Sequence, residues 1–235
     1  MPEVFESQKV VAGKLKGTRF LSSSIKEYWV LELMQPVEKF LQGTSLTPNH
    51  ISYLGFSLTL IAGICLATDH LIWGGWLVIW AGCCDFLDGR LARLKNLSSE
   101  AGAFLDSCLD RYMDFAVLIG LAVLFHNSWW LYVVYFALLG SVTTPYIKAK
   151  AESLGIECVG GEMQRPERVV LLGVGAMLSG YLNCISYPFL KIHDEWPPVL
   201  LQIALVIVAI ASNQAAWGRF RHTYVILKSR GKSTS

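Results

Sequence analysis

Four aspartates recur at fixed intervals in one stretch of this 235-residue chain, "DFLDGRLARLKNLSSEAGAFLDSCLD": Asp85, Asp88, Asp106 and Asp110. Side chains three or four residues apart share a helix face, so Asp85 goes with Asp88 and Asp106 with Asp110. The polar turn KNLSSE between them is short enough to make the two helices antiparallel neighbours, with both acid pairs at one depth and facing each other. Four converging carboxylates repel one another and are costly to desolvate. Hard divalent cations with oxygen ligands relieve that repulsion, which points to Mg²⁺ or a similar ion. The absence of a His or Cys cluster at this spacing argues against zinc. The plainer alternative is that the acids cap helix ends or pair with Arg90, Arg93 and Arg111; four on two facing helices favour the metal.

The elements that must position these acids are membrane helices. Hydrophobic residues make up 53% of the chain and charged ones only 16%, with a mean hydropathy of +0.43; a soluble domain carries nearer a quarter charged residues. Six apolar runs begin near Asn49, Ile72, Gly102, Ser128, Val169 and Pro198, each close to the roughly 20 residues that cross a bilayer core. The expected fold is therefore an all-α integral membrane protein of six transmembrane helices. Ahead of them, residues 24 to 42 place Ile25, Trp29, Leu33, Val37, Phe40 and Leu41 on one helical face, the pattern of an amphipathic helix lying in the interface. Thr47 can cap the first span, and Pro48 suits its first position, where no amide hydrogen is needed. The expected organisation is a segment 1–46 with the juxtamembrane helix, a six-span domain 47–224 and a basic tail 225–235.

Orientation follows from Lys and Arg. Lys9, Lys14, Lys16 and Arg19, the 90–100 and 148–168 loops and the basic C-terminal residues all fall on one side, while the short loops opposite hold only Lys191. The positive-inside rule puts both termini and the aspartate-bearing ends in the cytoplasm, in an inner or plasma membrane. The first 20 residues are polar and basic rather than a signal peptide, so the first span is expected to act as its own insertion signal. The six cysteines show no CxxC or zinc spacing and read as small apolar residues within the spans.

The acid stretch fits D-x2-D-G-x2-A-R-x8-G-x3-D-x3-D at every fixed position: Asp85, Asp88, Gly89, Ala92, Arg93, Gly102, Asp106 and Asp110. In this it resembles the CDP-alcohol phosphotransferase family, whose six-span plan and interfacial N-terminal helix are similar as well. The resemblance implies a CDP-linked lipid such as CDP-diacylglycerol or an ether analogue, a polar alcohol acceptor, two divalent cations (Mg²⁺ or Mn²⁺) and a homodimer. It implies that Asp85, Asp88 and Asp106 are metal ligands, and that Asp110 contacts metal and serves as general base. It implies CDP binding by Asp85, Asp88, Gly89, Ala92, Arg93, Gly102, Thr47, Pro48 and Asn49. The small residues serve close helix packing and also leave room for a nucleotide beside its metal ions.

On the acceptor the motif is silent. The stretches AGAFLDSCLDRYMD (101–114), YIKAKAE (146–152) and RPER (165–168) resemble prokaryotic phosphatidylinositol phosphate synthases. That likeness implies inositol 1-phosphate as acceptor, with its phosphate held by Lys148, Arg168 and Arg219. All three residues stand at span ends on the cytoplasmic side, and Arg grips a phosphate with two parallel hydrogen bonds where Lys supplies a point charge. Lys150 and Gln164 depart from the commoner Arg and Glu of the family, which leaves glycerol 3-phosphate, free inositol or another alcohol as the alternative acceptor. From other classes, a divalent-cation transporter or a lipid-binding scaffold would also be an apolar chain. The transporter is disfavoured because the acids cluster at one membrane face, and the scaffold leaves the aspartate set unexplained.

Overall fold

The computed structural model describes residues 35–158, 163–190 and 197–232, and every element among them is helical. In chain order these are α1 (Gln35–Gln42), α2 (Pro48–Ala67), α3 (Leu71–Leu94), α4 (Glu100–Leu124), α5 (Trp130–Ser153), α6 (Arg165–Leu190) and α7 (Val199–Lys232). Most of the expected interfacial helix, residues 24 to 34, lies outside the described residues. Its last part is α1, whose Leu41 packs against the small apolar cluster of Ile51, Leu87 and Leu91 while Phe40 is exposed.

Helices α2 to α5 and α7 each begin within two residues of where the apolar runs predicted, and α6 begins four residues earlier, at Arg165. Five of them (α2, α3, α5, α6 and α7) are long and apolar enough to cross a membrane. Helix α4 is equally long but carries Asp106, Asp110, Arg111 and Asp114 in succession within its first fifteen residues. Its charge, not its length, sets it apart. At roughly 1.5 Å per residue α7 extends about 50 Å, well beyond a bilayer core of about 30 Å.

The six long helices close into a ring in the order α2–α3–α6–α7–α5–α4, with α4 returning to α2. Small residues set the approach. Gly63 of α2 meets Ala116 and Gly120 of α4 so closely that a Cβ at Gly63 would lie 2.6 Å from the Ala116 carbonyl oxygen. At the α3–α6 crossing, a Cβ at Gly75 would lie 2.5 Å from the Gly173 carbonyl oxygen. In lipid no hydrophobic force draws helices together, so backbone approach and dispersion between small residues carry the packing. The ring is filled by Leu66, Leu121, Leu201, Leu205 and Val208, while Trp73, Tyr132 and Trp217 point outward.

Polar contacts between α5 and α7 surround Pro145, which lacks the amide hydrogen an interior helical residue would donate. The Thr144 hydroxyl donates to the Ser212 carbonyl (2.9 Å), and Arg219 Nη1 donates to the Thr144 carbonyl (3.0 Å). Asn213 Nδ2 donates to the Phe136 carbonyl (2.7 Å). These bonds fix the register in which Arg219 is presented.

Candidate functional site

The α3–α4 turn is built by its own sequence. Lys95 N–H donates to the Leu91 carbonyl and Leu97 N–H to the Ala92 carbonyl, closing α3. Asn96 takes φ 55°, the left-handed region that Asn tolerates better than most residues. Ser99 then caps α4, its hydroxyl accepting the Gly102 N–H at 3.1 Å. Lys95 Nζ reaches across to the carbonyls of Thr44 (2.8 Å) and Leu46 (2.9 Å), tying the start of α2 to this turn. Helix α2 begins at Pro48 as expected, although its cap differs in detail: the Thr47 N–H donates to Nδ1 of His50, at 3.2 Å.

Three of the four predicted aspartates converge. Asp85 of α3 and Asp106 and Asp110 of α4 place one carboxylate oxygen each within 4.8 Å of one another. Asp88 turns elsewhere: buried at 5% exposure, its Oδ2 accepts the Ser52 hydroxyl of α2 at 2.5 Å. Three residues along a helix amount to roughly 60° of rotation. In this ring that is the difference between facing α4 and facing α2.

Among the described residues the ion pairs to the acids come from α6, while Arg111 acts on Asp106 only from farther off. Arg165 Nη1 lies 2.5 Å from Asp85 Oδ1 and 2.6 Å from Asp110 Oδ1. The second of these is an ion pair without hydrogen-bond alignment, since Asp110 Oδ1 has no hydrogen-bond partner. Asp114, one turn beyond Asp110, lies 3.5 Å from Arg165 Nε and accepts Arg168 Nη2 at 2.7 Å. Arg165, Asp114 and Ser52 are therefore site residues that the motif did not single out. Asp114 had a signal, since it continues the face of Asp106 and Asp110 at a further four residues; Arg165 had only its place in RPER.

The basic residues form a second layer. Arg168 is 5% exposed. Arg219 lies within electrostatic reach of Arg168 and Glu152, and Glu152 pairs with the half-exposed Lys148 at 3.7 Å. Lys148, Glu152, Arg219, Arg168 and Asp114 thus form a chain of charges leading to the aspartates. Glu167, also in RPER, caps α6 by accepting the Gln164 N–H at 2.9 Å. Gly89 and Gly102 are half-buried near the turn, Arg93, Thr47 and Asn49 are exposed, and Pro48 and Ala92 are half-buried. A Cβ at Gly89 would come no nearer than 3.8 Å to any neighbour, the Arg93 guanidinium, so no close helix packing requires this glycine.

The donor set suits a hard divalent ion. All three convergent ligands are carboxylate oxygens, and the five aspartates of the site outnumber Arg165 and Arg168 by three formal charges. Octahedral ligands about 2.1 Å from a Mg²⁺ lie about 3 Å apart when cis and about 4.2 Å when trans, so the three oxygens must draw closer together to hold one ion.

Residues 45–179 match the family described as CDP-alcohol phosphatidyltransferase. A phosphatidylinositol phosphate synthase of Cutibacterium acnes is 32% identical over 185 residues, covering 77% of this chain and 86% of that protein. An archaetidylinositol phosphate synthase of Methanothermobacter thermautotrophicus is 36% identical over 138 residues, covering 59% of this chain and 69% of the other. Among solved structures, the Mycobacterium tuberculosis phosphatidylinositol phosphate synthase with CDP-DAG bound superposes with a TM-score of 0.66 at 27% identity, covering 80% of this chain and 92% of that one. The same enzyme in complex with manganese and citrate gives 0.68 at 28% identity, covering 81% and 88%.

Proposed function

Because the chain belongs to the CDP-alcohol phosphatidyltransferase family, we propose that it transfers the phosphatidyl group of CDP-diacylglycerol to the hydroxyl of inositol 1-phosphate, releasing CMP. The observation that carries this reading is the convergence of Asp85, Asp106 and Asp110 from two helices joined by one turn, at the mouth of a ring of membrane helices. The family assignment counts against the transporter reading.

In the reaction, the acceptor oxygen attacks the phosphorus that carries diacylglycerol, the phosphoanhydride bond breaks, and CMP leaves. When bound, Mg²⁺ or Mn²⁺ supplies Lewis-acid polarisation of the pyrophosphate and neutralises the leaving group's charge. Asp85, Asp106 and Asp110 would hold the ion through their convergent oxygens, and Asp88 would join them only by turning from the Ser52 hydroxyl that it accepts. Asp110 accepts the hydroxyl proton. Gly89, Ala92 and Gly102 leave room for the cytidine, bordered by Arg93 and by Thr47, Pro48 and Asn49 at the start of α2. Lys148, Arg168 and Arg219 hold the acceptor's phosphate dianion, which free inositol or serine would not require. The six helices all span, both termini and the site face the cytoplasm, and two chains assemble as a homodimer in the plasma membrane; the Lys and Arg bias supports that orientation.

The decisive experiment is an acceptor panel with CDP-diacylglycerol and Mg²⁺, following CMP release with inositol 1-phosphate, inositol, glycerol 3-phosphate and serine. Turnover with inositol 1-phosphate alone is expected. Robust turnover of glycerol 3-phosphate or free inositol without it would refute the acceptor and leave the transfer chemistry standing.

A further inference from the structure

Arg165 stands in the centre of the carboxylate cluster, and its hydrogen bonding there is incomplete. Nη1 touches both Asp85 and Asp110, and Nη2 faces the Met113 sulfur at 3.5 Å. Nε has no hydrogen-bond partner although it is buried, because Asp114 Oδ1 lies 3.5 Å away. Asp110 Oδ1 is likewise without an aligned donor. A buried guanidinium with an unmet donor beside an acceptor just out of reach is not at its best hydrogen-bonding position. Beside it lies a cavity of about 30 Å³, room for about one water, that Asp114, Arg165, Arg168, Ser141 and Thr59 line together with a majority of apolar residues.

We propose that Arg165 is a built-in counter-cation with two positions: between Asp85 and Asp110 while no divalent ion is held, and drawn back onto Asp114 when an ion enters. The proposal rests on the metal reading of the aspartates. Before loading, one positive charge offsets the repulsion that three partly buried carboxylates would otherwise suffer. A divalent ion brings twice that charge and takes the same oxygens, so both cannot occupy the cluster. Asp114 is then the positioning residue. It already anchors Arg168 through Oδ2 and offers Oδ1 to Arg165, so a small rotation about the guanidinium stem completes the Nε bond. The displaced charge stays in the site, beside Arg168, on the side from which an anionic acceptor would be bound.

The test is Mn²⁺ binding to the full-length protein in detergent, read by titration calorimetry, with thermal unfolding in chelator as second readout. An occupant that holds the cluster about nine-tenths of the time weakens apparent affinity about ten-fold. Arg165→Gln should therefore bind Mn²⁺ about ten-fold more tightly and unfold at lower temperature in chelator, with the deficit removed by saturating Mn²⁺. Asp114→Asn, which releases the tether, should weaken binding about ten-fold in the wild-type background but by no more than about two-fold in Arg165→Gln. Should Arg165→Gln not fold, Arg165→Lys serves: it keeps the charge, cannot bridge both carboxylates and Asp114 at once, and should bind Mn²⁺ more tightly than wild type. Weaker binding in either Arg165 variant would overturn the proposal, as would an equal Asp114→Asn effect in both backgrounds, which would make Asp114 a mere charge. Wild-type protein that binds no Mn²⁺ would remove the metal site itself, a different failure.

Discussion

The aspartate cluster and the basic trio lie at the same end of the ring but are assembled in opposite ways. The aspartates come from 26 consecutive residues on two helices joined by one turn, so a local hairpin fixes their spacing. The basic residues come one each from α5, α6 and α7, and only the closure of the ring brings them into one chain of charges. They also differ within the set. Arg168 is buried against Asp114, whereas Lys148 is half-exposed and pairs only loosely with Glu152. A fixed, partnered charge contributes to both fold and function, while an exposed one contributes to function alone.

The comparison is broken most severely at the aspartates. Asp106→Asn or Asp85→Asn should abolish turnover with its metal dependence, and Asp110→Asn should slow CMP release by about 10²- to 10⁴-fold at saturating cation, with CDP-diacylglycerol binding largely kept. If Asp110→Asn turned over at the wild-type rate, Asp110 would have no part in the chemistry.

Next comes Arg168→Ala. It removes a phosphate partner and leaves Asp114 without its closest donor, so the KM for inositol 1-phosphate should rise by about one to two decades, alongside a loss of stability of roughly 3–5 kcal/mol. Arg168→Lys should recover only part of this, keeping the charge but not the fork. An unchanged melting temperature would show that the Asp114 pair carries little of the fold.

Lys148→Ala sharpens the contrast. Its effect should be confined to the KM of phosphorylated acceptors and should stay below about one decade, because the side chain is half in solvent. Equal impairment with free inositol would place Lys148 outside any phosphate site. The smallest effect is expected at the turn: Ser99→Ala should cost about 1 kcal/mol of stability with kcat nearly unchanged, since only one capping bond is lost. A large kcat loss there would mean that the start of α4 is held by that cap alone.

Much of this molecule was legible before any coordinates. Helical periodicity and apolar run length are local properties, so the long helices, their boundaries and the Asp106–Asp110 face follow directly from the order of residues. Ser99 and Asn96 likewise shape the turn through atoms within a few positions of themselves. The same locality made Asp114 readable in principle, as the next residue on the acidic face.

What the order of residues could not decide is which neighbour each face meets. Asp85 and Asp88 differ by less than a quarter turn, yet one joins the cluster and the other is taken by Ser52, 36 positions earlier in the chain. Arg165 lies more than fifty positions beyond Asp110 and reaches it because α6 packs on α3, which packs on α2, which packs on α4. Such partnerships depend on ring order and on glycine-to-backbone approaches measured in tenths of an ångström. The physical reason is range. Helix geometry propagates along the backbone over a few residues, whereas a buried carboxylate takes the donor that close packing carries to it across the ring.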